Sequence, residues 1–118
     1  VRDGGVVIIL GECEEGSGSK VYEETMARLK TPEAIEAELK ANFQIGAHKA
    51  YAVTRLMRRA EFILVSGLEP GFAKMLLFTP AADIDTALKI AYDKLGSNPS
   101  IILMPQGSLT VPLTEYCK

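Results

Sequence analysis

Between Phe43 and Ala50 the chain reads Phe-Gln-Ile-Gly-Ala-His-Lys-Ala. Gln44, His48 and Lys49 therefore set an amide, an imidazole and an ammonium close together at what Gly46 marks as a helix start. An ammonium at that end opposes the helix dipole at a cost of roughly 0.3–1 kcal/mol, which points to a compensating use. A lysine so placed can hold a substrate carboxylate as a point charge. An imidazole can donate or accept a proton near neutral pH. The plainer reading is a solvated lysine beside a histidine packed at a helix shoulder, since lone His-Lys pairs are common.

Other groupings carry less. Gly11 to Gly18 joins a strand to a helix, but its glycines do not fall at the dinucleotide-binding spacing. Glu12, Glu14 and Glu15 also put negative charge where a phosphate would need donors, which favours a plain acidic loop. Arg55, Arg58 and Arg59 make a small basic group with Lys49 nearby, a pattern more often found on a solvated last turn than around a phosphate. The serines of 16–19 have no nucleophile-elbow context, and the single histidine is 29 or more residues from them. Cys13 lies among three glutamates, a negative neighbourhood that blunts a thiolate nucleophile. Cys13, Cys117 and His48 match no zinc spacing, so no metal site is expected within these residues.

The elements that must position these groups follow from periodicity. Val6 to Leu10 is a continuous apolar run, mostly β-branched, the signature of a strand buried on both faces. Ser19 can cap a helix carrying Val21, Tyr22, Met26 and Leu29. Thr31-Pro32-Glu33 starts a second helix with Ile35, Leu39 and, one turn on, Phe43 on its apolar face. A third runs from about Ala47 to Arg59, with Ala50, Val53 and Met57 inward. Phe62 to Val65 is a second buried strand, and Glu69-Pro70-Gly71 reads as a type II turn. Ala73 to Phe78 is open between helix and strand. Asp83 caps the clearest helix, with Ile84, Ala87, Leu88, Ala91 and Leu95 on one stripe and Gly96 at its end. Ile101 to Met104 reads as the last strand.

Buried strands separated by helices predict an α/β fold, a three-layer sandwich whose mostly parallel sheet has helices on both faces. Ligands in such folds collect outside the carboxyl ends of the strands. The glycine-bearing loops at Gly11–Gly18, Gly67–Gly71 and Gly107 should then share one edge. The third helix returns to a strand, so its start, Gln44 to Lys49, should lie there too.

Composition bounds the function. The 118 residues make one domain, 1–118, with 47% hydrophobic and 24% charged residues, as in an ordinary globular protein. A net charge of −2, with no aromatic interleaving among the basic residues, argues against nucleic acid. The longest apolar run is far short of the roughly 20 residues that cross a bilayer, and no signal peptide opens the chain. Two cysteines do not make a disulfide scaffold, so a reducing, cytoplasmic setting is expected. Val1 in place of Met suggests a piece of a longer protein.

The stretches 1–19, 43–68, 77–96 and 100–112, taken together, resemble the C-terminal domain of the nickel-dependent lactate racemase family. The most specific parts are Gly4-Gly5, Glu12-Cys13, Glu15-Gly16 and Gly18-Ser19 in the first stretch, and Gly46 with His48-Lys49-Ala50 in the second. The resemblance implies a two-domain racemase or epimerase of 2-hydroxyacids with its active site between the domains. It implies a nickel-pincer nucleotide tethered to a lysine of the larger N-terminal domain, whose histidines ligate nickel and act as acid and base. The C2 hydride would pass to that group and return on either face. This domain would supply substrate and cofactor contacts from Gln44, His48 and Lys49, with no catalytic base of its own, so alone it should be inactive. The partners implied are that N-terminal domain and a small 2-hydroxyacid. Two departures stand out: lysine follows Gln44 by five residues rather than three, and there is no tryptophan. The competing reading is a non-catalytic α/β module that binds an anion or packs on another domain.

Overall fold

A computed structural model describes residues 1–113. Its elements are β1 (Val6–Leu10), α1 (Lys20–Arg28), α2 (Pro32–Ala41), α3 (Ala47–Met57), β2 (Glu61–Val65), α4 (Pro70–Met75), β3 (Thr79–Ala81), α5 (Ile84–Leu95) and a short 3-10 turn at Gly107–Leu109. The three strands form one all-parallel sheet in the order β1-β2-β3. Val6 pairs with Glu61 and Leu10 with Val65, while Ile63 pairs with Thr79.

Local chemistry starts the helices where the pattern places them. The Ser19, Thr31 and Asp83 side chains accept from the N–H groups of Tyr22, Ala34 and Thr86, each satisfying an amide that the first turn leaves unpaired. Pro32 sits in the first turn of α2, where its missing N–H costs nothing. Gly96 ends α5 at φ +89, a conformation open to glycine at little steric cost.

The core has two parts, one on each side of the sheet. Alternation along the strands turns Ile63, Ala81, Val6, Ile8 and Val65 toward α5, where they meet Ala87, Ala91 and Ile90. The other side belongs to a helical cluster of Tyr22, Met26, Ile35, Ala50 and Leu76. Phe78, packed against that cluster, meets Phe62 of β2 edge-on at 6.5 Å between centroids. Helices thus lie on both faces, as expected.

Four expectations need correction. Glu69-Pro70-Gly71 is not a type II turn. The Glu69 carboxylate accepts from Gly71 N and Phe72 N at 2.9 and 3.0 Å and so caps α4, with Pro70 at its start. Phe43 does not extend the apolar face of α2, because the helix stops at Ala41 and Phe43 is 63% exposed. Thr79–Ala81 is a strand that no pattern announced; it is three residues long and contains Pro80. Ile101 to Met104 pairs with no strand, and Ile101, Ile102 and Leu103 are exposed. Among the described residues β1 therefore has no outer neighbour, and its residues are half-buried or exposed rather than buried on both faces.

One polar link ties α5 to the sheet. Glu61, at the start of β2, accepts from Lys94 Nζ and Thr79 Oγ1, both at 3.0 Å. The Lys94 ammonium, with Thr79 assisting, holds the Glu61 carboxyl below its ordinary value. A lowered folded value means stabilisation present above the unfolded pKa and lost as pH falls through the folded one. Glu61→Gln should therefore lower stability at neutral pH and flatten its decline into acid. Denaturant unfolding across that range checks this, and a variant whose acid limb matched the parent's would refute it.

Candidate functional site

The carboxyl ends of β1 and β2 meet. Gly67 N donates to the Glu12 carbonyl at 3.0 Å, and Gly11 N to the Val65 carbonyl at 3.0 Å. A Cβ on Gly67 would lie 3.2 Å from the Glu12 carbonyl oxygen, a tight contact, and would displace the Glu12 carboxylate. Two of the three glycine-bearing loops therefore share an edge. The third, at Gly107–Leu109, follows the unpaired segment and is exposed.

The loop 11–18 is not a phosphate cradle. Ser17 N donates to Glu23 Oε1 at 3.4 Å, Ser19 N to Ser17 Oγ at 3.2 Å and Tyr22 N to Ser19 Oγ at 3.3 Å. Several of the loop's amides are thus used internally, and Glu23 places a carboxylate beside them. Cys13 in this loop is a free thiol at φ +58; Cys117 lies outside the described residues.

The start of α3 packs on the start of α1. Gly46 stands at φ +102, and a Cβ there would sit 3.1 Å from Ser19 Oγ and 3.3 Å from Val21 Cβ. Both the backbone angle and the close approach call for glycine. This contact brings the 43–50 stretch to the edge where the β1 loop ends, as the topology predicted.

There the candidate residues are arrayed in the open. Gln44, His48 and Lys49 are all exposed. Lys49 Nζ stands 5.2 Å from the centre of the Tyr22 ring, within cation–π range. Tyr22 is 4% exposed, and burial pushes its phenol pKa up, so it stays a neutral platform. His48 stacks on Phe43 at 6.0 Å, and its Nδ1 accepts from Gly46 N at 3.3 Å. In a neutral ring that bond puts the proton on Nε2. The Gln44 carbonyl accepts from Ala47 N at 3.2 Å, closing the turn into α3. No side chain caps this helix.

Tyr22 went unmarked as a site residue because its spacing reads as core, and it is core. Its second duty, under Lys49, arises only from the crossing of α1 and α3. The arginines resolve the other way. Arg58 forms a two-pronged pair with Glu33, Arg59 Nε donates to Asp3 at 2.7 Å, and Arg55 lies over the Tyr51 ring at 5.6 Å. They sit at the far end of α3 from Lys49 and make no anion site with it.

Two open clefts, of about 300 and 430 Å³, lie elsewhere. The first is at the starting edge of the sheet around Gly4, Ala60 and Lys94; the second is between α2 and α3 around Glu33, Tyr51 and Arg55. Neither includes Gln44, His48 or Lys49, so the candidate residues form a wall rather than an enclosed pocket. Phe43 and Ile45, 63% and 82% exposed, flank them. Exposed apolar groups beside polar ones suit a surface that meets another. Among the described residues no three His, Cys, Asp or Glu side chains are grouped to hold a metal, and no helix is long and apolar enough to cross a membrane.

Comparison with known proteins identifies relatives. The sequence profile of the Lactate racemase C-terminal domain matches residues 1–111. The lactate racemase of Thermoanaerobacterium thermosaccharolyticum is 26% identical over 111 residues, which cover 90% of this chain and 26% of that protein. The structure of the lactate racemase apoprotein from the same organism superposes with a TM-score of 0.71 at 27% identity, covering 80% of this chain and 24% of that one. The chain thus spans about a quarter of the length of these relatives.

Proposed function

The chain belongs to the Lactate racemase C-terminal domain family, and on that premise we propose that it forms one wall of the interdomain active site of a 2-hydroxyacid racemase or epimerase. The observation that carries this reading is the exposed array at the start of α3. Gln44, His48 and Lys49 are exposed at the start of α3, flanked by the exposed Phe43 and Ile45, in a chain that spans about a quarter of its relatives' length.

In this reading Lys49 holds the carboxylate of the hydroxyacid, and the Tyr22 ring keeps its ammonium from folding back into solvent. The His48 Nε2 proton and the Gln44 amide supply directional donors to substrate or cofactor oxygens. Phe43 and Ile45 close against the larger domain and exclude water, which strengthens every charge contact inside.

The described residues fit a nickel-pincer nucleotide in part. Their cation and neutral donors suit its anionic groups, but they include no cluster able to hold a metal. In this reading the nickel ligands and the covalent tether are supplied by an N-terminal domain of a longer protein. When bound, that group supplies the hydride acceptor through which C2 loses its configuration. The acid-base residues acting on the hydroxyl also belong to the missing domain, so residues 1–118 alone should not turn over.

The test uses the full-length protein loaded with the nickel-pincer nucleotide. It is incubated with single enantiomers of 2-hydroxyacids and sugar acids, and each product is resolved by chiral chromatography. Racemisation or epimerisation of one member is expected. Loading without inversion of any member would reject the activity, and failure to load would leave an anion-binding or domain-packing module.

A further inference from the structure

We infer that the open edge of β1 is a dimerisation surface. Two copies of the chain pair β1 against β1, antiparallel about a two-fold axis at Ile8, and so form one continuous sheet of order β3-β2-β1-β1-β2-β3. The inference does not depend on the enzymatic reading.

The two edges of the sheet differ in kind. On one side β3 has three residues, and Pro80 removes one of its donors, which blunts that edge. On the other side β1 is five apolar residues with no charge, proline or glycine, and among the described residues it pairs only with β2. Ile9 and Leu10 are 38 and 62% exposed. An edge this apolar and unguarded is a template for another strand.

The free backbone groups of β1 fix the register. The Gly5 carbonyl accepts from Glu61 N, and Gly11 N donates to the Val65 carbonyl, so both face β2. By the alternation of a parallel ladder Val7 and Ile9 face β2 as well, and Val6, Ile8 and Leu10 turn their N–H and C=O groups outward. In an antiparallel pair, opposed residues exchange both hydrogen bonds at every second position. Setting Ile8 against Ile8 of the second copy opposes Val6 to Leu10 and Leu10 to Val6, which satisfies every outward group of the strand. A slide of two residues would instead set Leu10 against Gly4 or Val6 against Glu12, outside the strand.

Charge selects the same partner. In this arrangement the start of each β1 lies beside the end of the other. Arg2 stands at the start, and Glu12, Glu14 and Glu15 follow the end; all are exposed, and none has an ion pair among the described residues. Asp3, also at the start, is matched by Arg59 at 2.7 Å. A basic start therefore meets an acidic loop on both sides of the axis. A parallel pairing of the two copies would bring the acidic loops together instead, and like charges side by side repel.

Helix α5 adds apolar surface at the same place. Ile84, Leu88, Tyr92 and Leu95 fall on one flank by the 3.6-residue period, next to the Ala87 and Ala91 face that meets the sheet. Ile84, Tyr92 and Leu95 are 40, 39 and 40% exposed. With right-handed connections, and the other helices on the opposite face, this flank lies on the β1 side of α5. A two-fold axis normal to the sheet keeps both copies of α5 on one face, so the two apolar flanks turn toward each other across the paired strands.

Sedimentation equilibrium of the full-length protein tests this, together with amide hydrogen exchange read residue by residue. The expected result is a reversible dimer in which exchange at Val6, Ile8 and Leu10 slows as protein concentration rises, while Val7 and Ile9 stay slow throughout. Leu10→Pro removes an outward donor and no bond to β2, so it should weaken the dimer by about tenfold or more and leave Val7 and Ile9 protected. Arg2→Glu and Glu14→Lys should each weaken the dimer, and the two combined should restore it, which damage to the fold would not do. A parent protein that stays monomeric up to about 100 μM would overturn the inference. So would a dimer indifferent to Leu10→Pro and to the charge reversals. Protection of Val6, Ile8 and Leu10 that is independent of concentration would overturn it too, since another part of the same chain would then cover the edge.

Discussion

Lys49→Ala in the full-length, cofactor-loaded protein is expected to lower kcat/KM for the accepted hydroxyacid by roughly 30- to 5,000-fold. Removing one partner of a desolvated charge pair costs about 2–5 kcal/mol, and each 1.36 kcal/mol is tenfold in rate. The loss should be large because closure against the second domain would leave the substrate carboxylate without its counter-charge. The fold should hardly notice. Lys49 is exposed in this domain, and its contact with Tyr22 contributes about 0.5–1 kcal/mol at such a site. Lys49→Arg should not restore the rate fully, because a planar fork differs in reach and geometry from a compact ammonium. Steady-state kinetics beside a thermal melt would decide. A kcat/KM within about threefold of the parent would remove Lys49 from the site.

The largest effect on stability should come from the helical side of the core. Ile35 is fully buried among Tyr22, Met26, Ala50 and Leu76, where four helices converge. Ile35→Ala should cost about 2–5 kcal/mol, from lost transfer energy plus the cavity that rigid neighbours cannot fill. That is a large share of the roughly 5–15 kcal/mol that hold a domain together. Tm should fall by roughly 10–20 °C. Ile45→Ala is the control: the same class of side chain, but 82% exposed, should shift stability by no more than about 0.5 kcal/mol. Equal effects from the two would mean that the packing around α2 is not as described. Because α1 and α3 meet in this cluster, Ile35→Ala should also loosen the seat of Lys49 on Tyr22.

The placement of the candidate residues was legible to the extent that local chemistry wrote it. Gly46, between Gln44 and the His48-Lys49 pair, marks a helix start, and the α/β pattern places that start at the carboxyl edge whatever the details of packing. Tyr22 could not be identified in the same way, since a tyrosine at helical spacing reads as core, and only the crossing of α1 and α3 shows which cation it meets. Arg58 and Arg59 looked like a basic patch because their counter-charges, Glu33 and Asp3, lie 25 and 56 residues away in sequence. Long-range pairing of that kind leaves no local trace.

The sequence by itself determined the α/β class, β1 and β2, the caps at Ser19, Thr31 and Asp83, the start of α3 and the family resemblance. Each depends on interactions within a few residues or on apolar periodicity, both written along the chain. The tertiary structure alone decided the rest. Pro70 opens α4 instead of turning, because the Glu69 carboxylate finds Gly71 N and Phe72 N. Thr79–Ala81 becomes a strand, despite Pro80, because β2 offers it a ladder. Val6–Leu10 stands at an edge because Ile101–Met104, apolar enough to be its neighbour, is unpaired in this structure. A strand is defined by its partner, and a partner distant in sequence is chosen by packing rather than by local pattern.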